Sequence, residues 1–194
     1  MMPKGFTTQA ARFMHGQIEK YGLPSHALEG IASRKAQELA DKLGASKEIV
    51  RAGTALMDCQ LGEASAQGKA KAHMAMGADW ANGLFGKFPE IPQETRQNIL
   101  ACITEHHGTE KFTTLESEVC CNADCYKFAS VEGFFLAIRF TRDLPLDTLI
   151  KILGEKVEEK WKALSLDVCR KELEPQYKLL KEFLKYLPSQ ASAR

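Results

Sequence analysis

Five histidines stand in a chain of 194 residues, and two of them, His106 and His107, are adjacent in the segment ITEHHG (103–108). Imidazole titrates near neutral pH and is the commonest protein metal ligand. A paired placement at the end of an apolar run therefore points to metal binding, proton transfer or a polar helix end. Other groups of the same kind follow one another along the chain: His26, Asp58, His73, the pair itself, then Asp124. Imidazole and carboxylate together are the donors of many transition-metal sites. Taken singly, each also suits a structural role, as a hydrogen-bonded core histidine or a capping aspartate. On helical spacing Cys120, Cys121 and Asp124 share a face, which turns a carboxylate toward the core, where it needs pairing or a metal.

The elements that must position these groups read as helices. Ser25 caps one that runs to about Leu43, with Gly44 as its breaker, and Ser46 caps a second that ends near Asp58. QLGEASAQG (60–68) reads as a small, polar loop. A third helix covers about 69–85, with His73, Gly77, Trp80 and Leu84 along one face. Pro92 suits the first turn of a fourth, which carries Ile99, Leu100 and Ile103 inward and stops at Gly108. A fifth spans about 115–129. Neighbours on a helix diverge by about 100°, so His106 and His107 meet one site only if it lies at the helix end.

No sustained apolar–polar alternation marks a strand, and the expected fold is all-α. Beyond Arg139 the chain turns to charged amphipathic runs. Leu146, Leu149, Ile150, Leu153, Val157, Trp161 and Leu164 form one stripe, and Tyr177, Leu180, Leu184 and Leu187 another. The expected organisation is a helical core over 1–140, amphipathic helices over 141–188 packed on it, and a disordered tail over 189–194. The C-terminal helices are also the surface through which a homo-oligomer would form.

Composition narrows the function. A net charge of +1 argues against a surface built for a nucleic-acid polymer. No run approaches the roughly 18 apolar residues of a membrane span, and MMPKGFTTQA lacks the apolar core of a secretion signal, so no membrane partner and a cytoplasmic location are expected. In that compartment the six cysteines, Cys59, Cys102, Cys120, Cys121, Cys125 and Cys169, stay reduced. CCNADC (120–125) lacks the CxxC spacing of thiolate zinc sites. GEASAQGKA (62–70) is not a phosphate-binding P-loop: five residues separate its glycines, and Ala70 follows Lys69.

The order His26, then LMDC with Asp58, then His73, then EHHG, then NADCYKF with Asp124 resembles the HD-domain superfamily of metal-dependent phosphohydrolases, over roughly residues 20–140. The resemblance implies an HD-like helical core with additional C-terminal helices. It implies His26, Asp58 and Asp124 as three of four ligands at the main metal site, with His73 and His106, or His107, as further ligands. It also implies hydrolysis of a small phosphorylated molecule or nucleotide by metal-activated water, with Asp58, Asp124, His106 and His107 in catalytic roles. Lys127, Arg51 and Lys69 are candidates to face phosphate. The departure from the family pattern is Met57, where the His of the His-Asp pair stands.

A thioether is a poor ligand for Mn²⁺ or Mg²⁺. Three arrangements follow: a metal (Fe, Mn, Zn, Co, Ni or Mg) held by His26, Asp58, Asp124 and water; one shifted toward Asp58, His73 and His106; or none. The competing readings are a catalytically degenerate ligand-binding or regulatory module, and a cysteine-based redox or thiolate-metal protein.

Overall fold

Capping chemistry sets the helix boundaries. The structure, a computed structural model, describes residues 2–141 and 143–187. Its helices are α1 (Lys4–Tyr21), α2 (His26–Leu43), α3 (Lys47–Met57), α4 (Leu61–Ala66), α5 (His73–Phe85), α6 (Gln93–Thr104), α7 (Leu115–Ala129), α8 (Val131–Thr141), α9 (Leu146–Ala163) and α10 (Asp167–Tyr186), with a 3₁₀ turn at Ala70–Ala72. No strand occurs among the described residues, and the fold is all-α. The Ser25 hydroxyl accepts from the Leu28 amide, and Ser46 does the same for Ile49. Gly22 and Gly44 close α1 and α2 at φ 75, a left-handed conformation that glycine adopts without a Cβ penalty. Thr114 and Ser117 form a reciprocal capping box on α7.

Two helices lie at the centre. α3 is buried at every position from Ala52 to Met57, and α7 at every position from Val119 to Lys127. Around them the apolar side chains form two clusters. One gathers Leu28, Ile31, Val50, Met57, Val119, Leu153 and Leu173; the other gathers Phe6, Met14, Leu56, Phe85, Ile99 and Ile103. α3 contributes to both, so the residue that ends it, Asp58, is carried into the middle of the molecule. α2 and α9 pack on α7, and α6 packs on both α3 and α7. Gly53 makes that approach possible: a Cβ there would stand 2.5 Å from Cys102 Cβ and 3.0 Å from the sulfurs of Cys102 and Cys120.

Several boundaries differ from expectation. The segment 60–68 is not a loop throughout, because α4 occupies its middle with Gly62 and Ala64 buried. The third helix starts at His73 rather than 69, after the 3₁₀ turn. The fourth ends at Thr104, leaving His106 and His107 in the turn beyond it. α10 runs through Pro175 and begins eight residues before it; burial of Cys169, Leu173 and Leu180 holds it despite one missing backbone donor. No helix among the described residues is long and apolar enough to cross a membrane. The expected disordered tail, 189–194, lies outside the described residues.

Candidate metal centre

Three helix ends meet at one point. Asp58 is the residue that closes α3, His73 is the first residue of α5, and His106 and His107 follow the end of α6. Each offers one donor atom, and those atoms all lie within 4.8 Å of one another. Asp58, His73 and His106 are buried, and His107 keeps 29% of its side chain exposed. The adjacent histidines reach a common site because both lie past the last helical residue, where Gly108 at φ 97 closes the turn by donating its amide to Glu105.

Backbone acceptors fix the imidazoles. His73 Nδ1 lies 2.7 Å from the Ala70 carbonyl, and His106 Nδ1 lies 2.8 Å from the Ile103 carbonyl. A carbonyl only accepts, so both Nδ1 atoms carry hydrogen and both Nε2 atoms present lone pairs when the rings are neutral. His107 follows the same rule, with Nδ1 donating to Glu159 Oε1 at 2.9 Å. This outer hydrogen bond from a ligand imidazole is the usual support of a metal-bound histidine.

The inward atoms then form a triangle of acceptors. Asp58 Oδ1 is 3.4 Å from His73 Nε2 and 3.4 Å from His106 Nε2, which are 3.3 Å from each other. Three lone pairs at this separation repel unless a cation lies among them. Donors about 2.1 Å from a tetrahedral ion stand about 3.4 Å apart, so the triangle has the dimensions of one face of such a site. The residues present fit a divalent transition metal on this side of Asp58. With no metal, a proton is the available cation: burial works against charge on His73, but the hydrogen bond and negative charge of Asp58 outweigh it and raise the pKa.

The other side of Asp58 faces lysine. Lys127 Nζ is 2.5 Å from Asp58 Oδ2 and 2.7 Å from Asp124 Oδ1, and Lys160 Nζ is 2.5 Å from Asp124 Oδ2. All four side chains are buried. The Lys127 contact to Asp124 is an ion pair without hydrogen-bond alignment, and Asp124 Oδ1 has no hydrogen-bond partner. Burial alone would push both carboxyls up; the lysine charges hold Asp58 and Asp124 well below the usual carboxylate range. Burial works against charge on Lys127 and Lys160, and the carboxylates in turn keep both protonated, Asp124 and Asp58 for Lys127 and Asp124 for Lys160.

Among solved structures the chain is similar to a predicted HD superfamily hydrolase from an uncultured Thermotogales bacterium, with a TM-score of 0.64 and 16% identity over 92% of this chain and 88% of that one. It is similar also to Bacillus subtilis YpgQ, with a TM-score of 0.63 and 15% identity over 94% of each chain. The fold is the HD-domain fold. No family model matches the chain, and no curated protein matches it.

Within this HD-domain fold the candidate residues separate. Asp58, His73, His106 and His107 come together. His26 does not join them: it is exposed at the start of α2, its ring edge-on to His15 at 5.3 Å. Asp124 is behind the donor triangle, held by two lysines. Lys127 is buried, and its charge is committed to Asp58 and Asp124 rather than left to meet a phosphate. Arg51 is exposed and donates to Gln37. Lys69 is exposed on the segment leading to His73.

Glu159 and Lys160, both on α9, were not among the candidates. Lys160 had a signal: it stands in the buried series Leu153, Val157, Lys160, Leu164, where a charge requires a partner. Glu159 had none, since a glutamate at the edge of an amphipathic helix is ordinary. The cysteines are buried and unpaired, and none joins the donor group.

Proposed function

We propose that the chain is a metal-dependent phosphohydrolase that cleaves a small phosphate ester or nucleotide. The observation that carries this reading is the convergence of Asp58 Oδ1, His73 Nε2 and His106 Nε2 at 3.3–3.4 Å, with both imidazoles locked by backbone carbonyls. Asp58, His73 and His106 would hold the ion. A bound dication supplies Lewis-acid polarisation and water activated near neutral pH.

The remaining residues have roles set by their positions. His107 is the imidazole at the solvent edge; Glu159 takes its Nδ1 hydrogen, so Nε2 is the atom that accepts a proton. Asp58, Asp124, Lys127 and Lys160 sum to zero charge, and a dication added to them leaves the site cationic. That balance favours an anionic substrate, which exposed Lys69 and Lys71 beside His73 help to attract. Asp124 acts on Asp58 through Lys127 and is a positioning residue.

The test is metal content by inductively coupled plasma mass spectrometry on tag-free protein purified without chelator, followed by a screen of nucleotides and p-nitrophenyl phosphate. About one equivalent of Fe, Mn, Zn, Co or Ni, lost in Asp58→Ala and His106→Ala, is expected together with hydrolysis. Protein that stays metal-free after each of these ions and Mg is added would overturn the proposal. A ligand-binding module without turnover is favoured by one feature, the filling of both carboxylates by lysine; bound metal with no hydrolysis across the screen would select it.

A further inference from the structure

We infer that the Lys127 ammonium is a resident cation of this centre, occupying the position between Asp58 and Asp124 where a second metal ion would have to bind. The centre then holds one ion, on the imidazole side of Asp58. The inference rests on the metal-centre reading only for that one ion; the exclusion of the second follows from the lysine itself.

The two oxygens of Asp58 face different partners. Oδ1 looks toward His73 and His106, and Oδ2 lies 2.5 Å from Lys127 Nζ. Asp124 has Lys127 against Oδ1 at 2.7 Å and Lys160 against Oδ2 at 2.5 Å. Of the four carboxylate oxygens, three are thus in contact with ammonium. Only Asp58 Oδ1 is directed at neutral donors. A metal bridging Asp58 and Asp124 would have to take the place of Nζ.

The lysine has no second place to go. Lys127 is 3% exposed, three residues after Asp124 on α7, which is buried along this whole stretch. Moving Nζ away from both carboxylates would leave a buried ammonium unpaired, a strongly unfavourable outcome. A tethered cation also competes at a high effective concentration. The position has no imidazole to recruit in compensation. His73 and His106 are turned to Oδ1, His26 is exposed, and the residue before Asp58 is Met57, whose side chain is buried in the apolar core.

The test is metal stoichiometry of Lys127→Met against wild type, measured by native mass spectrometry of the intact chain at saturating Mn²⁺ and again at saturating Zn²⁺. Methionine keeps the length of the side chain and removes its charge. The variant is expected to bind one ion more than wild type, and the double variant Lys127→Met/Asp124→Asn to return to the wild-type number. An equal number in Lys127→Met and wild type would overturn the inference. A wild type with no ion and a variant with one would uphold the role of Lys127 while refuting the hydrolase proposal. Should Lys127→Met fail to fold, anomalous scattering from wild-type crystals soaked in Mn²⁺ decides: a peak between Asp58 Oδ2 and Asp124 Oδ1 overturns the inference, and peaks confined to other positions uphold it.

Discussion

Replacing Lys160 by methionine tests whether the C-terminal helix α9 is part of the centre or merely covers it. Lys160 is 2% exposed, and its Nζ lies 2.5 Å from Asp124 Oδ2. Removing one partner of a buried ion pair costs about 3–5 kcal/mol when the other is left uncompensated. Asp124 keeps Lys127, so the loss falls at or below the bottom of that range, about 2–3 kcal/mol, and methionine preserves most of the buried aliphatic stem. For a chain of this size that corresponds to a fall in Tm of roughly 4–12 °C. The measurement is urea unfolding of chelator-treated protein, so that metal binding does not enter. Asp124→Asn alone leaves two lysines short of a charge, and the double variant Asp124→Asn/Lys160→Met should recover stability relative to the sum of the singles by about 1–3 kcal/mol. If Lys160→Met unfolds within about 0.5 kcal/mol of wild type, a range typical of surface substitutions, or if the two single effects simply add, the ion pair is not what holds α9 on α7.

Glu159→Gln should reduce phosphate-ester turnover by about tenfold or more while leaving bound metal unchanged, because the residue orients His107 and balances its proton rather than touching the ion; loss of metal with unchanged turnover per bound ion would reverse that assignment. Gly53→Ala should destabilise by about 1–2 kcal/mol in urea, since a Cβ at 2.5 Å from Cys102 Cβ outweighs the roughly 1 kcal/mol of helix propensity gained, and a stabilised variant would show that the α3–α6 approach is loose. Glu116 accepts from the Ser46 amide at 2.8 Å and from Asn98 at 2.9 Å; burial pushes its carboxyl up, but those hydrogen bonds outweigh it and leave the pKa below 4.5. A depressed carboxyl stabilises above its unfolded pKa and ceases to as pH falls through the folded value, so the stability gap between wild type and Glu116→Gln should be open at pH 7 and close below about pH 4.5; a gap of constant size would remove Glu116 from the account. All six thiols are buried, and burial pushes Cys169 up to about 11, so native protein at pH 8 should react with Ellman's reagent only at the rate of unfolding, and rapid stoichiometric reaction would restore the redox reading.

Helices α2 and α3 are legible in the sequence because their ends are chemical signals: Ser25 and Ser46 as caps and Gly44 as a stop. The turn holding His106 and His107 is not: the apolar run reads as helix to Gly108, whereas α6 ends at Thr104 and frees both imidazoles to share a site. α1 has a readable stripe as well, with Phe6, Ala10, Met14 and Ile18 buried at every fourth position, but no side-chain cap marks its start after Pro3. What local pattern cannot supply is the partner of a buried charge. Lys127 and Asp58 are 69 residues apart, and nothing in either segment says that the lysine points at a carboxylate instead of at water. The general preference of lysine for solvent gives the wrong answer here for a specific reason: α7 is buried on all sides from Val119 to Lys127, so each charge in that stretch must be neutralised inside the protein. Asp124, Lys127 and Lys160 lie on buried helix faces and form one chain of alternating charge with Asp58. That chain fixes which oxygen of Asp58 remains for the imidazoles, and a charged residue placed on the apolar stripe of a helix is the sequence signal from which such a chain can be sought.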